Sequence, residues 1–209
     1  LRFRMVCEHK VHGKDVDPMR KISGLTVAGL LLYSIAAMAE TDVQKLLAGA
    51  KPGEAVRLPA GIFRGKLSLP AGVSLQGAGY DKTIIDAAGE RNAIAIEGGA
   101  DAVVSDLTAR GASAANVAVH GGMQITIRRV RASGGMLGVY IADGTACRVE
   151  NVICDANRYG IVVTGGRNNV VVNCTAASNA TLGLSFPSGT GTVAFNNCVV
   201  GSATAVYVG

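Results

Sequence analysis

The sequence predicts an all-β fold, a right-handed single-stranded parallel β-helix (a solenoid) with a short N-terminal capping helix. Three observations predict it. Apolar triplets recur at near-constant spacing, a second set of apolar strands recurs in step with them, and glycine or polar corners separate the two. The triplets are Ile94-Ala95-Ile96, Val117-Ala118-Val119, Val139-Tyr140-Ile141, Ile161-Val162-Val163, Leu184-Ser185-Phe186 and Val206-Tyr207-Val208, with first residues 23, 22, 22, 23 and 22 positions apart. The second strands are Val103–Leu107, Ile125–Val130, Cys147–Val152, Val170–Cys174 and Val193–Cys198. Their last apolar residues recur at 23, 22, 22 and 24 positions.

Triplets that alternate with period two are strands with one buried face. A single coil of this size cannot bury its inner residues alone. Coils stacked at roughly 4.8 Å align like residues into one continuous core. Gly98-Gly99, Gly121-Gly122, Gly144, Gly165-Gly166 and Gly189 follow the triplets as turns. A leucine-rich repeat would need a leucine-asparagine consensus, a left-handed β-helix a hexapeptide period, and a propeller blade about 40 residues. None is present.

The elements follow in chain order. Residues 1–18 read as a non-native upstream segment, since Met19 makes the better start. Arg20-Lys21, the apolar run Leu25–Ile35 and Ala37-Met38-Ala39 form the three parts of a signal peptide over 19–39, cleaved after Ala39. Export to the periplasm or the exterior is therefore expected. Cys7, His9 and His12 lie upstream and build no metal site in a mature chain. Residues 40–209 form the β-helix domain, which is expected to continue beyond Gly209. Asp42–Ala50 reads as a helix with Val43, Leu46, Leu47 and Ala50 on one side, capped by Asp42 or Thr41. It plugs the first coil. Ala55–Asp86 is a less regular opening coil.

Charge narrows the partners. The formal net charge is +5, but six of twenty basic and three of fifteen acidic residues precede Glu40, leaving 14 against 12. No basic run interleaved with aromatics remains, so nucleic acid is not a partner. The mature chain has no apolar segment able to span a membrane. Cys147, Cys154, Cys174 and Cys198 fall where neighbouring coils carry aliphatic residues and read as small buried hydrophobes; a disulfide is the alternative in an exported chain. Asn157 and Asn179 occupy equivalent corners, either as an amide ladder or as two solvated side chains.

Candidate chemistry lies on the outward residues of the triplet strands: Ala95, Ala118, Tyr140, Val162, Ser185 and Tyr207. One step on, Glu97, His120, Ala142 and Thr164 form a second column. Glu97 and His120 are 23 positions apart and should be neighbours in adjacent coils. Asp143 would flank His120 on the other side. A carboxylate beside an imidazole is a general acid/base pair, giving Glu97, His120 and Asp143 as catalytic candidates. Tyr140, Thr164, Ser185 and Tyr207 are substrate-binding candidates. The plainer reading is that Glu97 and His120 merely open a glycine turn. On the second strands, Arg128 and Glu150 read as a surface ion pair, with a basic groove of Arg128, Arg131, Arg148 and Arg158 as the alternative.

The stretch Lys51-Pro52-Gly53-Glu54-Ala55-Val56-Arg57-Leu58-Pro59-Ala60-Gly61-Ile62-Phe63, continued by Gly77-Ala78-Gly79-Tyr80-Asp81-Lys82-Thr83-Ile84-Ile85-Asp86, resembles the opening coil of the pectin-lyase-like superfamily of bacterial right-handed β-helix proteins. The coils beyond it resemble that superfamily's repeat region, so the likeness covers about residues 42–209. It implies the fold and a polysaccharide or cell-envelope partner; no one activity follows, because lyases, hydrolases, epimerases and phage tailspikes share this scaffold. Calcium-dependent pectate lyases need an acidic cluster that the chain lacks, and no cofactor is implied. Polygalacturonase-like hydrolases carry an Asn-Thr-Asp segment, paired aspartates and Gly-His-Gly; only Val119-His120-Gly121-Gly122 is reminiscent. His120, Met123 and Met136 are too sparse for copper handling. The expectation is an exported protein that binds, and in some form processes, polysaccharide. The alternative is a non-catalytic structural or interaction solenoid.

Overall fold

A computed structural model describes residues 40–209. The expected upstream segment, 1–18, and the expected signal peptide, 19–39, lie outside the described residues. The described chain winds through about seven turns of a right-handed parallel solenoid. One sheet has seven parallel strands, Leu67–Leu69, Asn92–Glu97, Ala115–His120, Leu137–Ala142, Tyr159–Thr164, Leu182–Phe186 and Thr204–Val208. The other, of twelve strands, begins at Ala55–Arg57 and ends at Cys198–Val200.

The internal file predicted from the triplets is present. Leu67 pairs with Ile94, and the ladder continues through Val117, Val139, Ile161 and Leu184 to Val206. Ile94, Val117, Val139 and Ile161 are fully buried, and Val206, in the last of the described coils, is 48% exposed. Fully burying such a side chain contributes about 1.5–3 kcal/mol.

The second strands extend further than their apolar pattern suggested. Val103–Arg110 and Thr126–Ser133 run through a bend, and in later coils the same path splits into two short strands, such as Arg148–Glu150 and Ile153–Asp155. The bend is a column of left-handed residues: Asp106, Arg129, Asn151, Asn173 and Asn196, with φ between 48° and 61°. Asparagine and aspartate tolerate this conformation better than most residues. Leu107, Val130, Val152 and Cys174 thus follow a corner rather than end a strand.

The asparagine ladder forms, and it includes a member the spacing did not point to. Asn157 Nδ2 donates to Asn179 Oδ1 at 3.2 Å, and Asn116 Nδ2 donates to Asn157 Oδ1 at 3.0 Å. All three are buried. Gly135 stands at the corner of the intervening coil, and a Cβ there would lie 2.8 Å from Asn116 Nδ2. Asn116, reaching across from the start of its strand, fills that place.

The helix spans Glu40–Gly49, starting two residues before the expected Asp42, so that both expected caps, Thr41 and Asp42, lie inside it. Val43 and Leu47 are buried, whereas Leu46 is 39% exposed and faces solvent. Gln44 closes the sheet edge. Its Oε1 accepts from Ser68 N at 2.9 Å and its Nε2 donates to Ser68 O at 3.1 Å, so one side-chain amide stands in for the missing neighbour strand.

Outside, ion pairs span adjacent coils: Arg110 with Asp86, Arg129 with Asp106 and Arg131 with Asp155. The Arg129 guanidinium holds the Asp106 carboxyl below its ordinary value. These arginines are nearly half exposed, so each pair is worth about 0–1 kcal/mol. The expected Arg128–Glu150 pair does not form. The two residues are in register, but Glu150 is taken by Arg148 on its own strand, within reach two residues away. Of the four arginines of the alternative basic groove, Arg131 and Arg148 are paired with Asp155 and Glu150, and the Arg158 guanidinium lies 5.4 Å from the Tyr159 ring centroid.

Cys147, Cys154 and Cys174 are buried free thiols. Burial pushes Cys154 well up and Cys174 up to about 11. Cys198 is exposed instead. It pairs with Thr175, in an outward column, and Asn197 takes the inner position beside Cys174. The spacing of 24 was one residue too long. Iodoacetamide at neutral pH is therefore expected to label Cys198 in the native protein and to spare Cys147, Cys154 and Cys174 until denaturant is added. Peptide mass spectrometry reads this directly; native labelling of Cys154 would contradict the packing.

Candidate functional site

The outer face of the seven-stranded sheet carries the predicted column. Glu97 ends its strand and pairs in register with His120; Ala142 pairs with His120 on one side and Thr164 on the other. The backbone ladder continues past them, with Gly98 N donating to His120 O at 2.7 Å. Successive strands therefore hold the Glu97 and His120 backbones about 4.8 Å apart. The His120 ring meets Tyr140 edge-on, centroids 5.6 Å apart at 71°.

A cleft of about 400 Å³ opens over this end of the sheet, lined by Lys66, Arg91, Asn92, Glu97 and His120. Lys66 immediately precedes the strand Leu67–Leu69, and Arg91 precedes Asn92–Glu97. Neither was singled out from the sequence, because both sit in polar corners where cations are common. The signal that would have found them is the register of Leu67 on Ile94, which lays the opening coil on the first full one. Among the described residues neither has an ion-pair partner. The cleft thus combines two cations, a carboxylate and an imidazole. The cations stand at the starts of the strands and Glu97 and His120 at their ends, about 13–20 Å away along the strand. The set can therefore hold an anionic group of a chain at one end and move a proton at the other.

The remaining candidates are placed as follows. Asp143 is exposed and left-handed, with φ of 53°, in a corner column otherwise made by Gly98, Gly121 and Gly165. That backbone carries its carboxylate towards Gly165, where an added Cβ would collide with it. Asp143 therefore faces the coil beyond, away from His120, and does not complete a triad. Thr164 Oγ1 lies 3.0 Å from Ser188 Oγ. Ser185 is a correction. Its short side chain sits between Val162 and Tyr207 in the ladder and is only 5% exposed, leaving no surface for a ligand. Tyr207 is 47% exposed. Among the described residues, no group of three or more His, Cys, Asp or Glu side chains is arranged to hold a metal ion, and no helix is long and apolar enough to cross a membrane.

Fold and cleft together define a class, the parallel β-solenoid with a polar cleft on the outer face of one sheet. A family model described as "Right handed beta helix region" matches residues 72–208, and the chain belongs to that family. Its likeness to pectin-lyase-like β-helix proteins thereby holds well beyond the opening coil. No curated protein matches the sequence. Among solved structures, an alginate lyase from Paenibacillus sp. str. FPU-7 is 17% identical with a TM-score of 0.69, over 78% of this chain and 65% of that one. The mannuronan C-5 epimerase A-module of Azotobacter vinelandii is 18% identical with a TM-score of 0.60, over 78% and 54%. A tailspike protein of Acinetobacter baumannii bacteriophage Fri1, a capsular polysaccharide depolymerase, is 14% identical with a TM-score of 0.57, over 81% and 46%. At these identities the likeness is one of fold. The chain spans less than two thirds of each of these proteins.

Proposed function

We propose that this solenoid is an exported protein that binds an anionic polysaccharide in the Lys66–Arg91–Glu97–His120 cleft and acts on it by acid–base chemistry. The observation that carries the reading is the in-register Glu97–His120 pair lining a cleft with two cations that lack an acidic partner among the described residues. The names of the alginate lyase, the epimerase module and the depolymerase support a carbohydrate ligand. In this reading Lys66 and Arg91 bind a carboxylate on a sugar unit away from the reacting one and so position the chain across the cleft. His120 takes or returns a proton at the reacting carbon or glycosidic oxygen, and Glu97 stabilises the imidazolium. The Tyr140 edge limits how far the imidazole can turn. The signal-peptide pattern over 19–39 supports a periplasmic or extracellular site of action.

Polygalacturonate, alginate and neutral glucans distinguish the outcomes when tested for binding and then for cleavage or epimerisation. Anionic chains are expected to bind, and Lys66→Ala with Arg91→Ala to weaken that binding at least about tenfold. His120→Ala is expected to lower turnover by about a hundredfold or more with an unchanged melting temperature. Neutral glucans binding best would remove the anionic assignment. No glycan binding at all, with a protein partner co-purifying, would replace the proposal by the interaction solenoid.

A further inference from the structure

Resting on the proposed reading, we infer that Asn92 is a specificity-determining residue. Its amide donates to the carboxylate that Lys66 and Arg91 hold, and so makes that end of the cleft select a free carboxylate over its ester. The fold does not ask for an amide at this place. The register that begins at Asn92 continues through Ala115, Leu137, Tyr159 and Leu182. In the later coils the backbone N–H here is satisfied by the coil before: Leu137 N donates to Ala114 O at 2.7 Å, and Tyr159 N to Met136 O at 2.9 Å. Ala115 N has the equivalent bond, to Arg91 O at 3.1 Å, and reaches Asn92 Oδ1 at 3.3 Å in addition. That second bond is redundant for the ladder.

It does fix the amide. A backbone N–H meets only an acceptor, so the atom facing Ala115 N is the oxygen, and Nδ2 takes the opposite branch. Asn92 is only 6% exposed and lines the cleft. Among the described residues its Oδ1 has this partner and its Nδ2 has none. A donor largely shut away from water costs about 1–3 kcal/mol while its bond is unmade, and a ligand oxygen restores it.

The neighbours identify that oxygen. Lys66 and Arg91 are exposed cations lining the same end of the cleft, so the group they draw in is an anion. A hydrogen bond to a carboxylate is roughly twice as strong as one to a neutral oxygen. The Arg91 backbone is held in advance, its carbonyl accepting from Ala114 N at 2.9 Å as well as from Ala115 N, which lowers the ordering cost of binding. Asn92 and Glu97 are the two ends of one strand, about 16 Å apart. A single sugar ring seated at Asn92 does not reach His120. A uronic acid monosaccharide therefore fills this subsite without being turned over.

The test compares an oligogalacturonate with its methyl ester of the same length, by calorimetry on the full chain. The free acid should bind about tenfold or more tighter than the ester. Asn92→Ala should weaken the acid about tenfold and leave the ester as it was, with a nearly unchanged melting temperature, because Ala115 N keeps Arg91 O. Asn92→Ser, which is too short to reach the ligand, decides the matter if the alanine variant fails to fold. Galacturonic acid itself should compete with the oligosaccharide and remain unaltered. If Lys66→Ala with Arg91→Ala removes the preference for the acid while the Asn92 variants change only the melting temperature, the amide is structural; the inference is then wrong and the cleft reading stands. Equal losses for acid and ester would also overturn it. If no sugar binds, both fall together.

Discussion

Replacing Asn157 with alanine is expected to destabilise the solenoid by about 2–3 kcal/mol, one stranded N–H and three weakened bonds, a large share of a domain's usual net stability of about 5–15 kcal/mol. The figure comes from the partners left behind. Asn157 Oδ1 accepts from Gly135 N and Asn116 Nδ2, both at 3.0 Å, and its Nδ2 donates to Ala132 O at 3.0 Å and to Asn179 Oδ1 at 3.2 Å. Three of these groups keep another bond. Asn116 Nδ2 still donates to Ser133 O, and Asn179 Oδ1 still accepts from residue 157's own backbone N. The Ala132 carbonyl keeps the ladder bond from Asp155 N that the Ser133–Asp155 pairing requires, whereas the Gly135 N–H loses its acceptor. A stranded polar group costs about 1–3 kcal/mol. Urea unfolding should show a lower midpoint with the same slope. Arg167→Ala, on an exposed corner, should change stability by no more than about 0.5 kcal/mol. A loss below about 1 kcal/mol for Asn157→Ala would mean that the ladder adds little.

Gly160→Ala should cost as much or more, although it adds one methyl group. A Cβ there would collide with the Gly183 carbonyl oxygen and come within 3.0 Å of Asn179 Nδ2 and 3.2 Å of Ala176 Cβ. Gly138, one coil earlier, meets the same crowding from Gly160 O, Asn157 Nδ2 and Cys154 Sγ, at 2.6, 2.9 and 2.9 Å. The glycines and the asparagine ladder are thus two halves of one arrangement: the amide side chains occupy the space that side chains at Gly138 and Gly160 would need. Overpacking against backbone costs about 3 kcal/mol, at the upper end of its usual range. Gly134→Ala is the contrasting change. It has a φ of 68° and nothing within 4 Å of its would-be Cβ, so only the left-handed backbone is penalised, by about 1–2 kcal/mol. Thermal unfolding of the two alanine variants separates lack of space from backbone strain. Equal losses would contradict the crowding at Gly160.

The file from Ile94 to Val206 was legible because stacking converts a period in the chain into a line in space. Asn157 and Asn179 could be paired for the same reason, being 22 positions apart. Asn116 could not, since it enters the ladder from a different place in its coil, over the gap at Gly135. Cys198 was misplaced by a spacing of 24, one residue past the inner position, and a shift of one residue turns a strand side chain to the opposite face. Glu150 shows the limit of register: its backbone lies beside Arg128, yet its carboxylate goes to Arg148. Lys66 and Arg91 were invisible because the opening coil has a longer period than the others, and only the Leu67–Ile94 pairing sets them over the sheet.

The order of residues was enough to give the solenoid, its inner file and the neighbourhood of Glu97 with His120, because period-two burial and a repeat of about 22 residues admit one economical way to exclude water from those side chains. Which polar groups meet depends on the folded chain. Long side chains choose partners by their lean and by the local backbone conformation, so Asp143 turns towards Gly165, Ser185 disappears beneath Tyr207, and Lys66 and Arg91 reach the cleft.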